Sequence, residues 1–249
     1  MGTQISLIFL QEYYKVTLLP PFYLQLPLTT PWDYANNSKG ITLQPRTSTR
    51  HPSKHLTDLN FADELSLLSN YLEDAQLLLH SLEHAASLVG LHLNKDKTQY
   101  ITTSKSESVI KTSEGHEIKK VEDFKYLGAW IMDSGKDFNT RKAQAWSACN
   151  KLDSIWRSDL PKNIKIQFFH SLIQPILLYG SETWNLNSQQ QKRLDGTFTN
   201  LLRRVQNLSW KQHATINQIY NGLPRISHIL RQRRVRFSEH CYRASSEVV

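Results

Sequence analysis

The stretch from Leu56 to Leu68, with the sequence LTDLNFADELSLL, most constrains how this chain can fold. Two short β-prone runs flank the adjacent carboxylates Asp63 and Glu64, and this pattern predicts a hairpin that holds both carboxylates at its tip. Adjacent carboxylates repel each other, so a chain that places two at one tip often binds a cation there. A solvated acidic turn has the same pattern, because Asp is common in turns. The stretch alone leaves both interpretations open.

A helix and two further strands are predicted directly after this hairpin. Apolar residues recur at helical spacing over residues 70–89, with Asn70 as the predicted N-cap and Glu73 as its capping-box partner. Residues 91–93 and 98–103 are β-prone and are separated by a turn. The pattern predicts a strand–helix–strand unit in which the helix lies across a sheet.

The second half of the chain is predicted to be helical and basic. Residues 136–249 carry 18 Lys and Arg against 7 Asp and Glu, a net charge of +11, whereas residues 1–135 carry 12 against 15, a net charge of −3. Pro161 is predicted to begin a helix, Pro175 to kink or end it, and Ser188 to cap the next one. A half with this much positive charge is an electrostatic footprint for a polyanion.

The last predicted helix, over residues 227–242, combines an apolar face with a basic one. Its apolar residues at helical spacing are Ile229, Leu230, Phe237 and Cys241. Four arginines accompany them, and a solvated basic surface without a ligand has the same composition. Charge alone therefore favours a polyanionic partner but does not identify it.

Composition excludes several classes of protein. The longest apolar runs fall far short of a bilayer span, so no transmembrane helix and no membrane partner is expected. The two cysteines, Cys149 and Cys241, are far apart in sequence and predict a reducing compartment rather than a disulfide framework. The expected location is therefore intracellular, in the cytoplasm or the nucleus. No small-molecule cofactor is evident from the sequence.

Several motifs occur together in a fixed order, among them FADELSLLS at 61–69, LHLNKDKTQYI at 91–101 and FKYLGAWI at 124–131. Their order and spacing resemble those of the reverse transcriptases of non-LTR (LINE-type) retrotransposons. The resemblance implies an α+β chain, with the C-terminal part of a palm at 38–135, made of an antiparallel sheet and a packed helix. An all-helical basic thumb follows at 136–249. Residues 1–37 are an unmatched and poorly determined segment.

The resemblance also implies roles for particular residues. Asp63 and Glu64 occupy the place of the family's F/Y-A-D-D box, where carboxylates bind the catalytic Mg²⁺, and Lys97 would lie near the triphosphate as a charge partner or proton donor. The expected primer grip, which holds the 3′ end of the primer, consists of Phe124, Tyr126, Leu127 and Gly128. The expected nucleic-acid-binding residues of the thumb are Arg203, Arg204, Arg231, Arg233, Arg234 and Arg236.

The implied cofactor and partner agree with the physical chemistry of nucleotidyl transfer. Two divalent cations activate the primer hydroxyl and stabilise the leaving group, and Mg²⁺ requires rigidly placed oxygen ligands. A basic helical domain suits an RNA–DNA or DNA duplex, because each neutralised phosphate releases a counterion whatever the sequence.

Three departures from the family predict impaired catalysis. Position 64 is Glu where the family usually has Asp, and one extra methylene moves the carboxylate by about 1 Å in a site that tolerates roughly 0.5 Å. The essential Asp that the family carries on an earlier palm strand is missing, since Glu12 and Asp33 lack its flanking pattern and Asp58 lies on the strand of the box. The fingers and the glycine–glutamine loop are also absent.

The sequence therefore predicts a truncated reverse transcriptase-like protein, derived from an RNA-directed DNA polymerase and catalytically impaired. Two alternatives stay open. One is a non-catalytic nucleic-acid-binding remnant that acts through the basic thumb. The other is the product of a decayed retroelement with no selected function.

Overall fold

The computed structural model describes residues 6–11, 13–15, 39–61, 64–88, 90–103 and 109–244. The chain divides into two compact units between Glu122 and Asp123, ahead of the 135/136 boundary that the resemblance implied. Helices and small, mainly antiparallel sheets are both present, which confirms the predicted α+β class.

Five strands of the first unit form one sheet, in the order β5 (Asp58–Phe61), β6 (Glu64–Ser69), β1 (Ser6–Gln11), β8 (Gln99–Thr102), β9 (Lys119–Lys120). The central strand β1 is antiparallel to both β6 and β8. No sequence pattern predicted this strand, which belongs to the unmatched segment at residues 1–37. The strands of the unit are β1 (Ser6–Gln11), β2 (Tyr13–Lys15), β3 (Ile41–Gln44), β4 (Lys54–Leu56), β5 (Asp58–Phe61), β6 (Glu64–Ser69), β7 (Leu91–Leu93), β8 (Gln99–Thr102) and β9 (Lys119–Lys120).

Helix α1 (Leu72–Leu88) packs on this sheet, as predicted. Its apolar positions at helical spacing, among them Leu78 and Leu79, are fully buried and share a core with Leu65, Leu67 and Tyr100 of the sheet. Burial of these aliphatic side chains is the main favourable contribution to the packing.

The predicted N-cap of α1 is wrong. The helix begins at Leu72, and the side-chain nitrogen of Asn70 donates to the carbonyl oxygen of Gly40 at 3.4 Å. The Ser69 hydroxyl instead accepts from the Tyr71 N–H at 3.2 Å, just before the helix. Asn70 was a reasonable choice by residue type, but contact with a distant segment decides its partner.

The second unit is a helical domain with one β-hairpin. A large apolar core joins its helices, and Phe169 packs edge to face on Phe198 at a centroid distance of 5.3 Å. Its elements are β10 (Phe124–Tyr126), β11 (Ala129–Ile131), α2 (Ser134–Lys151), α3 (Asp153–Arg157), α4 (Lys162–Phe168), a π-helical turn (Phe169–Ile173), α5 (Gln174–Leu177), a 3₁₀ turn (Ser181–Thr183), α6 (Ser188–Val205), a second 3₁₀ turn (Trp210–Gln212), α7 (Ile216–Tyr220) and α8 (Ile226–Ala244).

Two helix boundaries in this unit refine the sequence predictions. The disruption predicted at Pro175 takes the form of the π-helical turn just upstream, after which Pro175 lies in the first turn of α5. Proline is tolerated there because its missing N–H would have no helical partner. The cap of α6 is Asn187, in a capping box with Gln190, so the predicted cap Ser188 is the first helical residue.

Only the first half of α8 packs into the core. Ile226, Ile229 and Leu230 are buried, whereas the side chains of residues 234–243 are exposed. The predicted apolar face therefore holds at Ile229 and Leu230 but is wrong at Phe237 and Cys241. Among the described helices, none has the length and apolar character needed to cross a membrane.

A buried lysine links α3 and α4. Lys165 is 6% exposed, and its ammonium donates to the carbonyl oxygens of Trp156 at 2.8 Å and Ser158 at 2.6 Å. These carbonyls lie at the C-terminal end of α3, where the helix dipole favours a cation. The lysine thus satisfies two acceptors that the end of a helix leaves open.

Replacing Lys165→Met is expected to lower the free energy of unfolding by about 1–3 kcal/mol, because the two carbonyls lose their donor while the aliphatic stem is kept. Guanidinium titration followed by tryptophan fluorescence measures this change. Lys162→Met, an exposed lysine of the same helix, is the matched control and should change stability by less than about 0.5 kcal/mol. Equal effects of the two substitutions would contradict the stabilising role of Lys165 as the donor to the two carbonyls.

Candidate functional site

The two strands of the predicted acidic hairpin are present, with Glu64 as the first residue of β6, whereas the predicted tip at residues 62–63 lies outside the described residues. Strands β5 and β6 pair in antiparallel register, with Phe61 opposite Glu64 and Asp58 opposite Leu67. Glu64 is half-buried, and its Oε2 is buried without a hydrogen-bond partner among the described residues. Asp63 lies outside the described residues. A buried carboxylate oxygen without a donor is energetically costly, so a cation or an N–H donor beside Glu64 would be stabilising.

Asp58 lies too far along the strand to act together with Glu64. It lies on β5, as predicted, and accepts hydrogen bonds from Thr57 Oγ1 at 2.7 Å and Asn60 Nδ2 at 2.8 Å. Asp58 lies three positions before Phe61, the residue opposite Glu64, which corresponds to about 10 Å along a strand. That distance is too long for two carboxylates to share one small cation.

The turn before β8 carries Lys97. Asn94 is 2% exposed, and its Oδ1 accepts from the Lys97 N–H at 3.3 Å, while its carbonyl oxygen accepts from the Thr98 hydroxyl at 2.7 Å. This side-chain turn fixes the backbone at Lys97, whose side chain is exposed.

Sheet register places Lys97 and Glu64 at the same end of the sheet. Ser66 of β6 and Gln99 of β8 both pair with Phe9 of β1, so β6 and β8 run parallel on either side of it. Glu64 and Lys97 each lie two residues before these paired positions. Two strands on either side of a third lie about 10 Å apart. The structure therefore places the two predicted site residues at the same end of the sheet, on strands separated by β1.

The hairpin tip offers part of the ligand set that Mg²⁺ needs. Mg²⁺ takes rigid oxygen ligands, chiefly carboxylates, and the unpartnered Oε2 of Glu64 is such an oxygen. In the described ranges, no cluster of three or more His, Cys, Asp or Glu side chains could hold a metal ion. Asp63 would add one carboxylate by its place in the sequence. These residues fit an incomplete metal site.

The second predicted site is the hairpin of β10 and β11. Phe124 is buried, Tyr126 is half-buried, and Leu127 and Gly128 form the two-residue turn with φ of 47° and 82°. Positive φ at both central residues is typical of the type I′ turns that match strand twist. A Cβ added at Gly128 would meet its neighbours at an ordinary contact distance of 3.7 Å. Its backbone conformation, not space, favours glycine.

Side chains from the helical part of the second unit hold this turn. Arg141 donates to the Gly128 carbonyl, and Tyr179 donates to the Leu127 carbonyl at 2.8 Å. The Arg141 guanidinium also stacks over the Tyr179 ring at 4.3 Å. The turn is thereby fixed in position, as a structure that holds another molecule requires.

A buried acid completes this anchor, and the sequence analysis missed it. Asp137 is 2% exposed and accepts from the Trp184 indole at 2.8 Å and from the Trp130 N–H at 3.3 Å. Arg141, one helical turn further, is 3.7 Å from it. The i,i+4 spacing of Asp and Arg in the sequence was the available signal, but it is equally typical of exposed helix surfaces.

Four of the six predicted nucleic-acid-binding arginines are engaged inside the protein. Arg203 donates to the Ala214 carbonyl at 3.1 Å, and Arg204 pairs with Asp153 at 2.5 Å. Arg233 pairs with Glu182, and Arg234 donates to the Trp184 carbonyl; the distances are 2.5 Å and 2.6 Å. Arg231 and Arg236 are exposed, and neither has a hydrogen bond or ion pair to a described residue.

Together these observations define an α+β protein with a carboxylate-bearing hairpin in one unit and a basic helical second unit. No protein-family model matches the chain. Over 166 residues, 64% of its length, the chain is 30% identical to a Caenorhabditis elegans protein described as an uncharacterized transposon-derived protein. The chain spans 60% of that relative's length.

Asp137→Ala is expected to lower the free energy of unfolding by about 3–5 kcal/mol, because it leaves the buried Arg141 without its acid and two N–H groups without an acceptor. Urea titration of the purified chain measures the loss. Asp159→Ala removes an exposed acid and should be nearly neutral. A cost for Asp137→Ala no larger than that of the control would show that the buried acid does not anchor the hairpin.

Proposed function

We propose that the chain derives from the reverse transcriptase of a transposable element, that it has lost most nucleotidyl-transfer activity, and that its second unit binds nucleic acid. The observation that carries this proposal is the start of β6, where a carboxylate oxygen of Glu64, unpartnered among the described residues, lies at the same end of the sheet as Lys97. The similarity to a transposon-derived protein supports the origin.

Two residues would hold a metal ion, Asp63 and Glu64. When bound, Mg²⁺ would supply the charge that activates a primer hydroxyl and stabilises the leaving pyrophosphate. Lys97 would offer a positive charge or a proton on the triphosphate side. The hairpin of β10 and β11, fixed by Arg141 and Tyr179, would present its turn to the primer.

Impairment follows from the carboxylates themselves. Glu64 is longer than Asp by one methylene, and Asp58 lies about 10 Å along the strand from the tip and is already hydrogen-bonded. A two-metal reaction needs carboxylates held within about 0.5 Å of their working geometry. One well-placed carboxylate would leave the second cation weakly bound.

Primer extension on poly(rA)·oligo(dT), with Mg²⁺ and then with Mn²⁺, is expected to give no product above background. An active retroviral reverse transcriptase in the same buffers serves as the positive control. Extension that persists in the wild-type chain and disappears in Asp63→Asn would contradict the proposed loss of activity.

The charge distribution favours nucleic-acid binding as the retained function. Residues 136–249 carry a net charge of +11, and Arg231 and Arg236 lie exposed on α8 without a hydrogen bond or ion pair to any described residue. Exposed guanidinium groups bind phosphates whatever the base sequence, with release of counterions. Arg233 and Arg234 are better explained as structural residues, because both are bound to the protein.

Binding to a labelled RNA–DNA duplex, measured by fluorescence anisotropy between 50 and 200 mM salt, is expected to weaken steeply as salt rises. Changing Arg231→Ala and Arg236→Ala together should reduce the slope of log K against log salt by about 2, because two phosphate contacts are lost.

The matched control is Lys119→Ala with Lys120→Ala, which removes the same charge from an exposed strand of the first unit. It should leave the slope within about half a unit of wild type. Binding that ignores salt, or equal losses in the two double variants, would contradict binding through α8.

A further inference from the structure

A pocket of about 370 Å³ lies in the second unit, between the N-terminal part of α6 and the first half of α8. Aliphatic side chains, among them Leu194, Ile226 and Leu230, form much of its lining. Its charged lining residues are Asp195, Arg231 and Arg234. Small-molecule sites commonly combine such an apolar lining with a few fixed polar groups. We call it the α6–α8 pocket.

Asp195 supplies an acceptor that the protein does not use. Its carboxylate is half-buried and accepts no hydrogen bond from any described residue, although its backbone oxygen accepts from the Thr199 hydroxyl at 2.8 Å. Burial raises the pKa of this carboxyl, and the positive charge of Arg225 opposes the shift. Two carboxylate oxygens are thus available to a ligand that brings its own N–H donors.

Arginines complement this acceptor. Arg231 is exposed, lines the pocket and has no intrachain partner in the described chain, so it can bind an anionic group. Arg234, also in the lining, is fixed by its bond to the Trp184 carbonyl at 2.6 Å. A ligand that fits has an apolar body, N–H donors on one edge and a negative charge beside it.

We infer that the α6–α8 pocket accepts an unpaired guanine of a bound nucleic-acid strand, an inference that rests on the proposed nucleic-acid binding. The base would lie against Leu194 and Leu230, its N1–H and N2 amino group would donate to Asp195, and the adjacent phosphate would contact Arg231. Guanine presents two parallel donors to the two oxygens of a carboxylate. Proteins that hold an unpaired base read its Watson–Crick edge in this way, between apolar side chains.

The other bases match this acceptor less well. Adenine and cytosine place an acceptor nitrogen beside the amino donor, and that nitrogen would face the carboxylate. Uracil and thymine offer one N–H between two carbonyl oxygens, which the carboxylate would repel. Hypoxanthine keeps the shape of guanine but lacks the N2 amino group, so it isolates one of the two hydrogen bonds.

The test uses the full chain and a labelled DNA duplex with a one-nucleotide 3′ overhang, measured by fluorescence anisotropy. An overhanging guanine is expected to bind about tenfold more tightly than an overhanging hypoxanthine, the effect of one hydrogen bond to a charged acceptor. Asp195→Asn should remove this preference. Asp159→Asn, which makes the same charge change at an exposed position, should keep it, and a thermal melt confirms that both variants fold.

The outcomes separate the two proposals. Salt-dependent duplex binding with no difference between guanine and hypoxanthine overturns the pocket assignment and leaves the proposed function intact. Absence of any duplex binding overturns both.

Discussion

The second unit depends on one buried acid. Asp137 lies on α2 and joins three parts of the unit, because it accepts from the backbone of the β10–β11 hairpin and from the indole of Trp184 while Arg141 lies beside it. A buried carboxylate needs such partners to offset its desolvation. In turn, Arg141 and Tyr179 hold the hairpin turn, so the geometry of the implied primer grip follows from this cluster.

The sequence predicted elements whose signal is local. Helix α1 and the paired strands of the acidic hairpin follow from periodicity and β-prone runs, and both are present. The features that the sequence could not predict depend on contacts between residues that are far apart in the sequence. Strand Ser6–Gln11 is the centre of the sheet only because β6 and β8 flank it. Phe237 follows Leu230 at helical spacing and is therefore predicted to lie on the same face of the helix. It is nevertheless 45% exposed, because the core ends before it.

The candidate sites show the same division. Residue type suggested six binding arginines, but the structure engages Arg233 and Arg234 in intrachain contacts and leaves Arg231 and Arg236 exposed. No sequence pattern pointed to Asp195, because a pocket forms only when two helices pack. The two β-prone runs around the acidic pair indicated Glu64 as a candidate, and sheet register places it at the same end of the sheet as Lys97.

The central claim is that the second unit, through α8, is the part of the chain that still binds nucleic acid. Hydrogen–deuterium exchange of the full chain, with and without an RNA–DNA duplex, tests it most directly. The account predicts slower exchange in α8 around residues 226–236 and no change in the hairpin at residues 58–69. Slower exchange at that hairpin with none in α8 would contradict it.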